Sequence, residues 1–185
     1  MTYKALLSGL ICAANLFAFA KTINVPEDGD IQFAITNVVS GDHIVIAAST
    51  EPYIITKAIT VPSGVTLRGA SGDRNDVVIS GDKAVAGMTL SSGSVVSNLT
   101  LTSCVSKGGT AGVTIPKDAK MENCRITSCY STARGSWGVA VDITGTLKKS
   151  CIDGNYLASD VDGHRGILRP VVAQADSGHC RIGMA

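Results

Sequence analysis

The sequence predicts an all-β fold wound as a parallel β-helix, a solenoid whose N-terminal end is covered by a short α-helix. Three observations predict it. First, nearly the same phrase recurs three times: GMTLSSGSVVSNLTLTSC at 87–104, GVTIPKDAKMENCRITSC at 112–129 and GVAVDITGTLKKSCIDGN at 138–155. Gly87 to Gly112, Thr89 to Thr114, Asn98 to Asn123 and Leu101 to Ile126 are all steps of 25, and Gly112 to Gly138, Met121 to Leu147 and Ile126 to Ile152 are steps of 26. A fixed period of this size marks a repeat architecture. Second, apolar residues alternate within each copy, as in Met88/Leu90, Val113/Ile115, Val139/Val141 and Leu99/Leu101. Alternation means strands with one buried face. Third, aromatics make up only 4% of the chain, while Gly, Ser, Thr, Val and Ile are common. That composition favours strands and turns over a helical bundle.

One copy is too short to hold a core. Stacked copies bury one continuous aliphatic column, each strand lying beside its own equivalent about 4.8 Å along the axis. The L-x-x-L-x-L pattern of leucine-rich repeats is missing, and an antiparallel sandwich would not need equal spacing.

The elements follow in order. Residues 1–20 read as a secretory signal peptide: Lys4, an apolar run over 5–20, and a small-x-small cleavage site at Ala18-Phe19-Ala20. The run is short for a membrane span, so export with cleavage after Ala20 is expected, leaving no transmembrane span in the mature chain. Residues 21–185 form one β-helix domain. In DGDIQFAITNVVSGD, residues 28–42, Ile31, Ala34, Ile35 and Val38 share one helical face and Asp30 is placed to act as N-cap. This predicts a capping helix over 28–40, which would cover the apolar interior and open strand edge of the first coil. Coils follow over 41–157, beginning with GDHIVIA, AITVPSGVTLRGA and DVVISG, short alternating strands separated by Pro-Ser-Gly and Ser-Gly turns. The chain after the leader, residues 21–185, supplies roughly six coils, about 30 Å of solenoid at this rung spacing. Residues 158–185 close the domain.

Net charge is +1 over 185 residues, which argues against a nucleic-acid partner. Loss of the leader removes Cys12 and leaves Cys104, Cys124, Cys129, Cys151 and Cys180. Five is odd, so at least one thiol is free or pairs between chains. Cys104 and Cys129 hold equivalent positions and should be neighbours on adjacent coils. Two readings stand: a disulfide closing a loop of about 25 residues, permitted by rung spacing and an oxidising compartment, or two small buried hydrophobes in a stack. Asn98 over Asn123 predicts a side-chain amide ladder.

The stretch DIQFAITNVVSGDHIVIA, followed by PYIITKAITVPSGVTLRGASGDRNDVVISG, resembles the opening of secreted right-handed, single-stranded parallel β-helix proteins of the pectate-lyase-like superfamily. The tail SDVDGHRGILRPVVAQADSGHCRIGMA is similar to that family's closing segment, although it departs from the usual ending. The resemblance implies a right-handed coil and a polysaccharide-related role. Members with activity use clustered carboxylates with calcium and a basic residue, paired Asp with Arg, or several Asp with His. The outward strand positions here, Thr89, Thr114, Ala140, Thr100 and Arg125, stack no pair of carboxylates.

Candidate site residues are therefore few. Tyr130, Arg134 and Trp137, in the loop after Cys129, group aromatics with a cation, a chemistry suited to sugar rings and uronate carboxylates; the plainer reading is that Trp137 packs over its loop. Asp73 and Asp76 are the best calcium candidates, with a solvated turn as the plainer reading; no other cofactor is implied. Asp28, Asp30, Asp160 and Asp162 read as helix-start and turn carboxylates, and Arg68 as a surface cation. His43, His164 and His179 lack metal-ligand spacing. A Thr array for ice decays from Thr100/Thr102 through Arg125/Thr127 to Cys151/Asp153. The expected function is a monomeric, secreted or cell-surface β-helix that binds an acidic polysaccharide or surface glycan, with lyase-like cleavage the less favoured extension. The alternatives are a structural or adhesive module, or a fragment of a longer β-helix protein.

Overall fold

The structure, a computed structural model, describes residues 19–83, 87–106, 112–131, 141–157 and 182–184. Strand β1 (Thr22–Val25) leads into helix α1 (Ile31–Thr36), and then the chain winds. Strands β2 (His43–Ile46), β3 (Tyr53–Ile54) and β4 (Ile59–Val61) form the first full coil, and β5 (Thr66–Gly69), β6 (Val78–Ser80) and β7 (Met88–Leu90) the second. The third holds β8 (Val95–Ser97), β9 (Thr100–Thr102), β10 (Val105–Ser106) and β11 (Val113–Ile115). The fourth holds β12 (Lys120–Glu122), β13 (Arg125–Thr127), β14 (Tyr130–Ser131) and β15 (Val141–Ile143). Strands β16 (Thr146–Lys148) and β17 (Cys151–Leu157) begin the fifth, and β18 (Ile182–Met184) lies beyond.

Three sheets run along the solenoid. Sheet I is ordered β1-β2-β5-β8-β12-β16, sheet III β4-β7-β11-β15, and sheet II runs from β3 through β6, β9, β13 and β17 to β14 and β10, with β18 also on β17. Every pairing is parallel. The described residues thus form a parallel β-solenoid of about five turns.

Alternation fixes which side chains point inward. In sheet I, Ile23, Ile44, Leu67, Val96, Met121 and Leu147 lie in register on successive strands. Ile79, Leu101, Ile126 and Ile152 do the same in sheet II, and Ile59, Met88, Val113 and Val141 in sheet III. All are buried in one core. The 25-residue step is the register itself, pairing Met88 with Val113, Val96 with Met121 and Leu101 with Ile126.

The third repeat is different. Val113 pairs with Val141, not Val139, so the step is 28 residues on sheet III but 26 again at Met121–Leu147. The corner absorbs the difference: five residue steps separate Ile115 from Lys120, whereas three separate Ile143 from Thr146. Gly145 makes that tight corner, because a Cβ there would run into the carbonyls of Pro116 and Ala119.

Helix α1 is shorter than the 28–40 span expected. Its start is as anticipated: the Asp30 side chain accepts from Phe33 N at 2.7 Å. Ile31 and Ala34 are buried and Ile35 packs on the core. It ends at Thr36 because Asn37 donates to the Phe33 carbonyl at 2.8 Å and a turn follows, with Asp42 N bonding Val39 O at 3.0 Å around Gly41 at φ 95°. Val38 is buried beyond the helix, from the turn.

Gly87 and Gly112 sit on adjacent coils, with Gly87 N donating to Gly112 O at 2.8 Å; Gly138 lies outside the described residues. A Cβ at Gly87 would strike the Cys104 sulfur and lie 2.9 Å from its Cβ, whereas nothing lies within 4 Å of one at Gly72. Gly87→Ala should therefore cost about 1–3 kcal/mol through overpacking. Gly72→Ala should stay within about 0.5 kcal/mol of wild type. Denaturant unfolding of the two variants checks the contrast.

Candidate functional site

Inward positions are consumed by the core, so chemistry must come from outward strand residues and corners. On sheet III the outward row is Thr60, Thr89, Thr114 and then Asp142. The changed register replaces the Ala140 expected there with an acid, and Ala140 itself lies outside the described residues. On sheet I the outward residues of the lower coils are Thr66 and Arg68, Val95 and Ser97, Lys120 and Glu122, Thr146 and Lys148. Arg68 is exposed, as anticipated. Glu122 bonds Lys120 Nζ at 2.6 Å and lies 3.7 Å from Lys148 Nζ. Its hydrogen bond to Lys120 holds its carboxyl below the ordinary range.

The densest cluster is on sheet II. Arg125 and Thr127 on β13 pair with Cys151 and Asp153 on β17, and the diagonal brings Arg125 onto Asp153. The contact is two-pronged: Arg125 Nε donates to Asp153 Oδ1 at 3.1 Å and Nη2 to Oδ2 at 2.9 Å. The guanidinium lowers the pKa of Asp153, assisted by Thr127, and the carboxylate raises that of Arg125. Cys151 donates its thiol to Asp153 Oδ2 at 3.5 Å. Partial burial, then the neighbouring carboxylate, raise its pKa. Such a thiol is kept protonated, the opposite of an activated nucleophile. The period carries a signal for this pair, since Asp153 sits 26 after Thr127 and diagonal to Arg125, but a search for paired carboxylates passes over a carboxylate paired with a base.

Residues 70–76 form a strap over the corner between sheets I and II. Arg74 Nη1 donates to the carbonyls of Cys124 at 3.1 Å and Lys149 at 3.2 Å, and its own carbonyl accepts from Thr100 Oγ1 at 3.0 Å. Asn123 Nδ2 bonds Asn98 Oδ1 at 2.9 Å, the amide ladder expected, and also Gly72 O at 2.8 Å. Arg74 is thus a positioning cation that ties coils across 50 and 75 residues. Nothing in its local sequence distinguishes it from a turn residue.

The anticipated candidates are placed as follows. Tyr130 on β14 donates its hydroxyl to Lys83 O at 2.9 Å; Arg134 and Trp137 lie outside the described residues, so the trio is not brought together there. Asp73 Oδ1 accepts from Asn75 N at 2.8 Å and Asn75 Nδ2 at 2.9 Å, an arrangement that belongs to the turn. No group of three or more His, Cys, Asp or Glu suited to a metal, with Asp76 or otherwise, occurs among the described residues. Asp28 Oδ2 accepts from Asn24 N at 2.7 Å, closing the end of β1. Asp160, Asp162, His164, His179 and Cys180 lie outside the described residues.

Cys104 and Cys129 are buried on adjacent coils, with Tyr130 N bonding Cys104 O at 2.9 Å, and both are thiols without a bond between them. Their mutual hydrogen bond, reinforced by burial, pushes Cys104 far above the ordinary thiol range, and the same bond lowers Cys129 against the opposing effect of its burial. Burial pushes the Cys124 thiol up to about 12. No helix among the described residues is long and apolar enough to cross a membrane.

Comparison with family models, curated proteins and solved structures finds no match to this chain.

The Arg125–Asp153 side chains are 42% and 30% exposed, so the pair contributes no more than about 0.5–1 kcal/mol. A depressed carboxyl contributes stability above its unfolded pKa, about 3.9, and loses it as pH falls through the lower folded value. Asp153→Asn should therefore be less stable than wild type by that amount at pH 7, with the gap closing below about pH 4; urea unfolding against pH checks this. In the same variant Cys151 should alkylate faster at pH 8, because the carboxylate that raises its pKa is gone.

Proposed function

We propose that the chain is an exported β-solenoid that binds an acidic polysaccharide along the outer face of sheet I without cutting it. The observation that carries this reading is charge placement. Across the outward positions of that sheet the cations Arg68, Lys120 and Lys148 stand against a single acid, Glu122. Arg68 and Lys148 belong to one column three rungs apart, about 14 Å at the spacing of paired strands. An extended anionic chain laid along the axis meets these cations in turn, and guanidinium and ammonium groups are suited to its carboxylates. The leader and the resemblance to secreted pectate-lyase-like proteins support a polysaccharide outside the cell as the partner. Binding is favoured over cleavage because the sheet II acid is neutralised by Arg125 and the adjacent thiol is held protonated. A structural or adhesive module is the second reading, favoured by the way Lys120, Lys148 and Arg125 already engage acids of the chain itself.

Polygalacturonate should bind the exported protein with an affinity that falls with added salt, and neutral galactan should not. Arg68→Ala and Lys148→Ala should each weaken binding about five-fold, the equivalent of about 1 kcal/mol. Trp137→Ala should leave it unchanged; loss there would move the site to the loop after Tyr130. Titration calorimetry distinguishes these outcomes. Absorbance of unsaturated product from pectate with calcium would replace binding by a lyase activity, and no affinity for any acidic glycan would leave the structural module.

A further inference from the structure

Asp42 is the one carboxylate among the described residues that is buried in the wall of the solenoid, at 5% exposure. It closes the turn after α1 and joins the first two rungs. Its backbone nitrogen bonds Val39 O at 3.0 Å, its carbonyl accepts from Thr66 N at 3.0 Å, and its Oδ2 accepts from Val39 N at 2.9 Å. The other oxygen, Oδ1, accepts from the main-chain nitrogen of Lys21 at 2.8 Å. Lys21 is itself fixed, because its carbonyl takes His43 N at 2.8 Å. The two residues before it, Phe19 and Ala20, are exposed, Phe19 at 92%. The nitrogen that meets the buried acid is therefore the nitrogen of the bond expected to be cut on export.

We propose that removal of the leader turns Lys21 into the counter-ion of Asp42, so that the new α-ammonium group and the buried carboxylate form an ion pair that seals the first rung. The inference rests on the reading of residues 1–20 as a cleaved leader. The step is a hydrolysis by the leader peptidase of the exporting membrane. Water adds across the Ala20–Lys21 amide, Ala20 departs with the carboxylate on the leader, and the Lys21 nitrogen takes up a proton. A neutral amide with one N–H becomes an ammonium with three, at a distance already typical of charge-assisted bonds. Before the cut, the charges acting on Asp42 are the Lys21 side chain and His43, and two backbone N–H groups hold its pKa down. The cut adds a full charge at contact distance, in a place partly shielded from water, where it counts for more than at the surface. The end of the solenoid most open to fraying is thereby fastened by the act that releases the chain.

The test uses the full chain expressed in an exporting host, with the exported form recovered and its first residue read by mass spectrometry. Its α-amino group, tagged by reductive methylation with labelled carbon, is then titrated by NMR beside the tetrapeptide Lys-Thr-Ile-Asn tagged in the same way. The group should titrate at least about one unit above the peptide, whose untagged α-amino range is about 7.7–8.0, and should return to the peptide value in Asp42→Asn. The Lys21 side chain and His43 are present in both the wild type and Asp42→Asn and do not account for a difference between those two. A form that begins at Lys21 and titrates like the peptide overturns the inference and leaves the export reading standing. A form that begins elsewhere overturns the cleavage reading and the inference with it. Where Asp42→Asn does not fold, the wild-type group against the peptide decides alone.

Discussion

Register between coils is the constraint on which everything else in this molecule hangs. Each strand is only two to seven residues long, far too short to hold a place by itself. What holds it is that a slip of one residue would turn every inward side chain to water. The column Ile23, Ile44, Leu67, Val96, Met121 and Leu147 runs without a break from β1 to β16. Removing the Leu101 side chain to its Cβ would open a cavity between Ile79 and Ile126, a change worth about 2–5 kcal/mol in a close-packed core. The hydrogen bonds of the sheets follow from this stacking and add direction to it, but they would tolerate a shifted register that the aliphatic columns forbid.

The corners make that register repeatable. Asn98, Asn123 and Lys149 all have positive φ, at 56°, 51° and 49°, and so do Ser103, Ser128 and Gly154, at 54°, 54° and 59°. These are steps of 25 and 26, the same as the core. A left-handed residue costs roughly 1–2 kcal/mol when it is not glycine, and Asn tolerates it best. The corners accept that cost because each one is laced to the next coil: Asn98 N bonds Glu122 O at 3.2 Å and Asn123 N bonds Lys148 O at 3.0 Å. The Asn98–Asn123 amide contact and the strap from Gly72 to Arg74 reinforce the same edge. Where Asn gives way to Lys149 the amide ladder stops, and the Arg74 guanidinium takes the exposed carbonyl in its place.

What could be read beforehand divides along the same line. The winding, the core face and the capped N-terminus were legible because they depend on period and alternation, which are written locally and repeated. Asp30 could be identified as a cap because its role lies within four residues of itself. The 28-residue step at Val113–Val141 could not be read, because Val139 and Val141 fit an alternating pattern equally and only the shortened corner at Thr144-Gly145 chooses between them. Arg74 was illegible for a different reason: the partners of its guanidinium lie two and three coils away, and nothing near it in sequence marks a reach of that length. The Arg125–Asp153 pair lay between these cases. Its geometry was implied by the period, but its chemistry, an acid against a base on neighbouring rungs, resembles none of the constellations that the superfamily resemblance directs attention to.

Because the inward half of every strand is committed to the core, evolution can vary only the outward half and the corners without unwinding the fold. A solenoid therefore separates stability from recognition more cleanly than a fold whose site is built into its core. In this chain the separation is visible coil by coil. The inward residues remain aliphatic from Ile44 to Leu147, while the outward ones pass from hydroxyls at Thr60, Thr89 and Thr114 to charges at Lys120, Arg125, Asp142, Lys148 and Asp153. Apart from Arg68 on the second coil, charge on these outward positions gathers on the fourth and fifth rungs, where the loops between copies differ and the corner is tightened. Surface-exposed ion pairs contribute little to folding, so stability alone gives no reason for that concentration. Under the binding proposed for sheet I, those outward charges on an unvarying core are the part of the surface given to contact, and the inward columns the part given to folding.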